Sequence, residues 1–329
     1  MTKLFNDPAR FTEDMLAGFL DANSRYVVGV PGGVVRAHET APGKVAVVVG
    51  GGSGHYPAFC GVVGPGFADG AVVGNIFTSP SADEAASVAR AAHSDAGVLL
   101  TTGNYAGDVM NFGLAMQLAA AEGIDMREVR VSDDVASAPK GDAAKRRGIA
   151  GDIMVFKCAG AAAEEGRPLD EVERVATRAN AATRSMGVAL SACEVPGSGR
   201  PTFELADDEM EIGMGVHGEP GITRGPLRPA DDVAGVLVDT ILADVENGAR
   251  GDVALLVNGL GATAYVDQHI LFRAARRALD AKGLHVVRGY VGEFITSLEM
   301  AGASITVTLL DDELLTLLDA PARTAAFKT

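Results

Sequence analysis

Three polar side chains in glycine-rich stretches are the candidates for chemistry in this sequence: His55, Asp108 and His217. His55 ends residues 44–55, KVAVVVGGGSGH, in which a short β-branched run leads into glycines. A buried strand followed by a glycine turn places backbone N–H groups and one side chain at the carboxyl edge of a sheet, where open α/β sheets hold ligands. Glycine suits that turn because it allows positive φ and close approach of a ligand. We therefore expect a small polar ligand here, with His55 placed for proton transfer.

Each candidate also has an ordinary structural explanation. A glycine-rich loop is often only a tight strand-to-helix connection, so the sequence alone leaves the role of His55 open. Asp108 suits the N-cap of the helix that follows, and taken alone this cap is the better explanation. His217 is harder to explain structurally, because turn formation in GVHGEPG at residues 215–221 does not need a histidine.

Other site classes fit the sequence poorly. No Lys-Ser or Lys-Thr follows the glycines at 50–54, as a Walker A motif requires, and His55 stands where a dinucleotide fingerprint needs its third glycine. Neither a CxxC motif nor a His/Cys cluster indicates zinc, and the pairs at 133–134 and 207–208 have turn contexts that favour Asp for backbone reasons. We expect no metal site. The basic loop at 140–147 suits phosphate or an acidic partner, but a solvated surface is the more common explanation.

The elements that must position these residues alternate between strands and helices. The first half predicts a helix over 11–22, strands at 45–49, 98–101 and 128–131, and a helix over 83–93 that opens with a capping box at 81–84. This alternation indicates crossover units and a largely parallel sheet. The second half predicts a strand from residue 210, helices over 231–244 and 266–282, and strands at 253–257, 285–290 and 304–309. The linker-like PGSG at 196–199 places the expected domain boundary near residue 190, giving domains 1–190 and 191–329.

Composition narrows the classes of partner. The net charge of −15 argues against a nucleic-acid partner, which requires a basic surface. The sequence contains no apolar run near the ~20 residues of a membrane span and no signal-peptide pattern at its start. Its three cysteines, Cys60, Cys158 and Cys193, form no pairing pattern. We expect a cytoplasmic protein without membrane association.

Taken together, the three loops resemble a known family. GGGSGH at 50–55, NYAGD at 104–108 and GVHGEPG at 215–221 are similar to the dihydroxyacetone-binding subunit of dihydroxyacetone kinases. The resemblance extends over essentially the whole chain, with GNIFTSPSADE at 74–84, RRGIAG at 146–151, NGLGAT at 258–263 and the ending around 318–321. It implies two α/β domains, each a central mostly parallel or mixed sheet flanked by helices, and a homodimer.

The resemblance also implies an unusual chemistry. A histidine in the position of His217 attacks the ketone carbon of the substrate and holds it as a covalent hemiaminal, which glycerol cannot form because it has no carbonyl. Matching positions make His55 and Asp108 the acid/base pair, and Gly52, Ser53 and Gly54 bind the substrate hydroxyls.

The family implies that this chain binds no cofactor itself. Its nucleotide, ATP or ADP with Mg2+, lies on a separate all-helical domain or subunit, which we expect this chain to lack and to need as a partner. In some members ATP is the phosphoryl donor, whereas in others a phosphocarrier of the phosphotransferase system recharges a bound nucleotide; the sequence does not distinguish them.

Two departures from the family pattern concern the substrate. Many dihydroxyacetone-specific members carry Lys where this chain has Gly103, and Glu where it has Tyr56. Losing a cationic donor changes how a hydroxyl is held, and Gly103 leaves more room, so the four-carbon ketose erythrulose competes with dihydroxyacetone as the expected substrate. Two other functions stay open: a non-catalytic ketose-sensing coactivator, and a nucleotide-dependent enzyme that binds phosphate at residues 50–54.

Overall fold

The computed structural model describes residues 3–38, 40–245 and 250–328. Its chain divides into two compact units whose segments alternate along the sequence: unit 1 comprises Met1–Val131, Val155–Ala179 and Leu314–Thr329, and unit 2 comprises Ser132–Met154 and Asn180–Glu313. The single boundary expected near residue 190 does not describe this division, because the chain returns to unit 1 twice after first leaving it. The linker-like PGSG is instead a turn inside unit 2.

Eight α-helices and twelve β-strands lie within the described residues. In chain order they are α1 (Phe11–Asn23), β1 (Val27–Val30), β2 (Gly33–Arg36), β3 (Ala46–Gly52), β4 (Gly70–Gly74), α2 (Ala82–Ala92), β5 (Val98–Gly103), α3 (Ala106–Ala121), β6 (Met126–Val131), α4 (Asp152–Glu164), α5 (Leu169–Ala182), β7 (Thr183–Ala189), β8 (Glu209–Ile212), β9 (Thr223–Pro226), α6 (Ala230–Asp244), β10 (Gly251–Gly259), α7 (Tyr265–Ala281), β11 (Leu284–Gly292), β12 (Gly302–Leu309) and α8 (Asp312–Asp319).

The sheet of unit 1 has the strand order β1-β2-β4-β3-β5-β6. The last four strands are parallel neighbours, whereas β1 and β2 pair antiparallel, so the sheet is mixed. Every residue of β3 is buried, as expected for a central strand covered on both faces. Helices α2 and α3 supply apolar side chains to the core against this sheet. The predicted capping box is confirmed: the Ser81 side chain accepts from the Glu84 backbone N–H, and the Glu84 carboxylate accepts from the Ser81 backbone N–H.

The sheet of unit 2 has the order β11-β10-β12-β7-β8-β9, in which only β10 and β11 are parallel. Its apolar core includes side chains of β7, β10 and β12 together with α6 and α7. The predicted fold of two α/β domains with mixed sheets is therefore confirmed. Among the described residues, the helices include none that is both long and apolar enough to cross a membrane.

Candidate active-site residues in the two units

The first three glycines before His55, Gly50 to Gly52, belong to the strand rather than to a turn. Strand β3 continues through Gly52, pairing with β4 as far as Gly74, and a short 3-10 turn, Ser53–His55, follows. A Cβ on Gly51 would lie 2.3 Å from the Phe59 ring, and one on Gly52 would lie 2.9 Å from a backbone nitrogen. Gly52 itself has φ −73°. The expected turn at residue 50 is therefore wrong: here the glycines allow close packing around a strand end.

The 3-10 turn places two site candidates in buried positions of unit 1. Ser53 is 7% exposed and His55 is 5% exposed. The imidazole of His55 packs against the ring of Phe77, with ring centroids 5.3 Å apart. A buried imidazole held by an aromatic neighbour has few orientations, which suits directed proton transfer.

Asp108 lies in the first turn of α3, directly after the strand next to β3. The N-cap of this helix is Tyr105, whose side chain makes no capping hydrogen bond, so the N-cap explanation for Asp108 is wrong. Asp108 is the third residue of the helix and is only 8% exposed. Since β3 and β5 are parallel neighbours, their carboxyl ends share one edge of the sheet, and unit 1 presents His55 and Asp108 just beyond that edge.

His217 belongs to unit 2, in the loop between β8 and β9. Glu219 binds it twice: Oε2 accepts from the His217 backbone N–H at 2.9 Å, and Oε1 lies 3.0 Å from the ring Nδ1. The glycines of the loop have separate roles. Gly218 has φ +84°, and a Cβ on Gly215 would lie 2.2 Å from the Glu219 carboxylate.

Two further charged residues of unit 2, Arg147 and Asp134, extend the hydrogen-bonded pair of His217 and Glu219. The Arg147 guanidinium lies 3.7 Å from Glu219 Oε2 and donates to Asp134 Oδ2 from Nε and Nη2, at 3.0 and 2.8 Å. Burial alone raises the pKa of Glu219. The hydrogen bond and charge of His217, together with the charge of Arg147, outweigh burial and lower this pKa to about 2. Glu219 is therefore ionised at neutral pH and can only accept hydrogen bonds. When the ring of His217 is neutral, a proton on Nδ1 lets it donate to this carboxylate, and Nε2 is then the unprotonated, nucleophilic nitrogen.

The basic loop at 140–147 is only partly a solvated surface. Lys140 and Lys145 are exposed, but Arg146 is 1% exposed and forms a two-fold hydrogen-bonded ion pair with Asp244. Arg147 is held by Asp134, whose Oδ1 also accepts from a backbone N–H. From the sequence alone, these residues are expected to be surface and turn groups. The sequence does contain a signal for the role of Glu219, because this residue lies in the GVHGEPG motif, two residues after His217.

Within the part of the chain that the structure describes, no group of three or more His, Cys, Asp or Glu side chains is arranged to hold a metal ion. The candidate residues instead offer a nucleophilic imidazole in unit 2 and a buried imidazole and carboxylate in unit 1. An imidazole of the first kind can attack a carbonyl, and a buried imidazole and carboxylate can move protons.

Comparison with known proteins gives consistent results. The family model of the Dak1 domain matches residues 17–326. The D-erythrulose kinase of Mycolicibacterium smegmatis is 62% identical over 328 residues, which cover 100% of this chain and 57% of that protein. The dihydroxyacetone-binding subunit DhaK of a PTS-dependent dihydroxyacetone kinase from Listeria innocua is 45% identical, over 100% of this chain and 99% of the subunit.

One solved structure with a similar fold belongs to a protein described differently. The dihydroxyacetone kinase operon co-activator Dha-DhaQ superposes with a TM-score of 0.89 and 32% identity, over 95% of this chain and 97% of that one. This chain spans little more than half the length of the erythrulose kinases that it matches. The fold is thus common to proteins described as kinases and to one described as a co-activator. Fold alone therefore does not separate these two functions, and the site residues must distinguish them.

Proposed function

The chain belongs to the Dak1 domain family, the family of dihydroxyacetone-binding kinase subunits, and from that membership we propose that it is the ketose-binding component of a dihydroxyacetone-type kinase. In this role it binds a short ketose covalently and presents a terminal hydroxyl for phosphorylation. The observation that carries the proposal is the hydrogen bond between His217 Nδ1 and the ionised Glu219, because it directs a nucleophilic Nε2 lone pair away from the carboxylate.

The proposed reaction forms one bond, between Nε2 of His217 and the ketone carbon. The carbonyl π electrons move to the oxygen, which takes a proton and becomes the hydroxyl of the hemiaminal. Positive charge then develops on the imidazole ring, and the Glu219 carboxylate stabilises that charge at Nδ1. No oxidant or reductant takes part.

We assign His55 and Asp108 as the acid/base pair. One gives a proton to the carbonyl oxygen, and one accepts the proton of the hydroxyl that is phosphorylated. Gly52, Ser53 and Gly54 are assigned to the substrate hydroxyls, supported by their position at the end of β3 next to His55.

Dihydroxyacetone is the substrate that the main proposal names, and erythrulose is the second candidate. The second is supported by the relative described as a D-erythrulose kinase and by Gly103, which stands where many dihydroxyacetone-specific members have lysine. A longer ketose has one more hydroxymethyl carbon to accommodate, and the smaller residue leaves space for it.

The phosphoryl group must come from a nucleotide-binding kinase subunit or domain that carries ATP or ADP with Mg2+. We propose such a partner, with a phosphotransferase-system phosphocarrier as the alternative source of phosphate, and a homodimer of this chain. A cytoplasmic location fits the three buried, free thiols of Cys60, Cys158 and Cys193.

A ketose-sensing co-activator is the second candidate function, because one protein of similar structure is described as a co-activator. A sensor needs the covalent histidine at most, and it does not need a buried base for the hydroxyl that is phosphorylated. The presence of both His55 and Asp108 therefore favours the kinase role.

Adduct formation tests the nucleophile directly. With dihydroxyacetone labelled with 13C at the ketone carbon, we expect the carbonyl signal to be replaced by that of a carbon with four single bonds on the wild-type chain. His217→Ala should abolish this change, whereas His285→Ala, an exposed histidine in the same unit, should not. Adduct formation without His217 would overturn the assignment.

Phosphoryl transfer is tested by adding nucleotide-binding kinase subunits with Mg2+ and ATP and measuring ketose phosphate. We expect product with the wild-type chain and at least a hundredfold less with Asp108→Asn, because a neutral amide cannot accept the proton. Adduct without product from any of these subunits would favour the co-activator. Titration with both ketoses then identifies the substrate.

A further inference from the structure

Ser53 belongs to a chain of three hydrogen-bonded side chains in unit 1. Its Oγ lies 2.9 Å from Oγ1 of Thr12, at the start of α1. The same Thr12 oxygen lies 3.0 Å from Oδ1 of Asn75, just after β4. Asn75 Oδ1 also accepts from the backbone N–H of Ile76 at 2.7 Å.

The direction of these hydrogen bonds follows from the donors available. The Ile76 N–H must meet an acceptor, so the atom of the Asn75 amide beside it is the carbonyl oxygen. Thr12 has one hydroxyl proton and must donate it to that oxygen. Thr12 then has only lone pairs left for Ser53, so the Ser53 hydroxyl donates its proton to Thr12. The reverse order would leave the Thr12 and Asn75 oxygens 3.0 Å apart with no proton between them.

Helix α1 contacts the site loop at a second point, which keeps Thr12 in place. The ring of Phe19, the buried apolar residue of α1, meets the ring of Tyr56 edge-on, with centroids 5.9 Å apart. Tyr56 directly follows His55. Thr12 and Phe19 therefore hold α1 against both ends of the segment 53–56, and Thr12 lies before the residues matched by the family model.

We propose that Thr12 and Asn75 make Ser53 a hydrogen-bond acceptor only, so that this position selects a ketose whose hydroxyl donates to it. The inference rests on the proposed ketose-binding function and adds a specificity determinant to it. With its proton committed to Thr12, Ser53 offers lone pairs to the ligand. A hydroxymethyl group of the ketose donates a hydrogen bond to these lone pairs. A fluoromethyl group of similar size has no proton to donate, so its fluorine and the Ser53 oxygen repel each other.

The test compares dihydroxyacetone with 1,3-difluoroacetone, which keeps the ketone but has no hydroxyl proton. Adduct formation is titrated for each, and the ratio of the two dissociation constants is compared between variants. Hydration and reactivity of the free ketones cancel, because the same pair is used throughout. Thr12→Val frees the Ser53 proton, and Asn75→Ala lets Thr12 donate to Ser53, so both should lower the preference for the hydroxylated ketone at least fivefold.

Two controls separate this effect from a general loss of structure. Thr12→Ser keeps the hydroxyl and should restore the wild-type ratio, and Thr177→Val makes the same substitution at an exposed site on α5. The proposal is overturned unless both Thr12→Val and Asn75→Ala change the ratio. If the wild-type chain forms no adduct with dihydroxyacetone or erythrulose, the proposed function itself fails and this inference falls with it; an adduct with unchanged ratios rejects the inference alone.

Discussion

The carboxylate of Glu219 decides which nitrogen of His217 is available. Both of its oxygens accept hydrogen bonds from the same histidine, one from the backbone and one from Nδ1. This pairing fixes the ring orientation and the tautomer together, as a carboxylate does for the histidine of a hydrolase triad. It also places a negative charge where an imidazolium forms during attack on a ketone.

Glu219→Gln should therefore slow adduct formation about tenfold to a hundredfold, while leaving the fold intact. Glutamine offers one acceptor where glutamate offers two, so either the backbone N–H or Nδ1 of His217 loses its partner, at a cost of about 1–3 kcal/mol. The measurement is the rate of adduct formation with 13C-labelled dihydroxyacetone. Glu204→Gln, an exposed glutamate in unit 2, is the matched control, and equal rates for both variants would contradict the positioning role.

At the scale of residues, the sequence indicates which polar side chains follow the strand ends, but not which residues hold them in place. In the sequence, His55 and Asp108 follow glycine-rich strand ends, and the structure places both in buried positions at one sheet edge. The expected turn role of the glycines is wrong, because their role depends on packing against Phe59 and Phe77, which the local sequence pattern does not specify. For the same reason the sequence favours a surface position for Arg147, whereas its partners Asp134 and Glu219 come from separate segments of unit 2.

One buried carboxylate joins the loop before α4, strand β7 and the end of α6. Asp244, the last residue of α6, accepts two hydrogen bonds from Arg146 and one from Arg184, all between 2.6 and 2.8 Å. The hydrogen bonds and charges of the two guanidinium groups lower the pKa of Asp244 to about 2 despite its burial. A carboxylate at a helix C-terminus is otherwise unfavourable, so these arginines supply the compensating charge.

Asp244→Asn should reduce the free energy of unfolding by about 3–5 kcal/mol, because it leaves two guanidinium groups, one of them fully buried, without a counter-charge. Asp239→Asn removes an exposed pair with Lys282 from the same helix and should cost less than about 1 kcal/mol. Because the folded pKa of Asp244 is lowered, its contribution is present above pH 4 and is lost towards pH 2.

Urea unfolding at pH 7 and pH 3 measures both effects. The wild-type chain should lose more stability between these two pH values than Asp244→Asn does, since the variant no longer has the carboxylate to protonate. Equal costs for the two Asp→Asn variants at pH 7 would show that the buried pair contributes no more than the exposed one.

Elements with a local signal were predicted well. The capping box at Ser81 and Glu84 places its helix to within one residue, because capping depends only on neighbours along the chain. The sequence predicts that the strand before His55 ends at Val49, but the strand continues to Gly52 because pairing with β4 extends it. Pairing partners lie far apart in sequence, so no local pattern contains that information.

The molecule as a whole consists of two units assembled from alternating segments. The expected boundary near residue 190 rests on the linker-like composition of PGSG, but turns inside a unit have that composition too. Unit 1 depends on the last part of the chain. Phe327 packs against Phe67 with ring centroids 5.1 Å apart, and the backbone N–H groups of Ala326 and Arg323 donate to Gly61 and Pro65.

A fragment of residues 1–190 should consequently fail to unfold cooperatively. It lacks the C-terminal segment that covers Phe67, and it leaves the fully buried amine of Lys157 without its acceptor, the Leu317 carbonyl at 2.6 Å. Burial lowers the pKa of Lys157 to about 8, so at pH 7 the amine is mostly charged and needs that carbonyl. The measurement is urea unfolding at pH 7, followed by near-UV circular dichroism.

The matched control is the same fragment joined through a flexible linker of about 20 residues to residues 311–329, a length that spans most distances within one domain. The joined chain should regain a cooperative transition, because it restores the Phe327 contact and the Leu317 carbonyl together. A joined chain carrying Phe327→Ala should recover only part of that stability. Truncating a buried phenylalanine to alanine lowers the free energy of unfolding by about 3–5 kcal/mol. If the fragment of residues 1–190 unfolds at the same urea concentration as the joined chain, the C-terminal segment does not stabilise unit 1, and a boundary near residue 190 describes the folding unit after all.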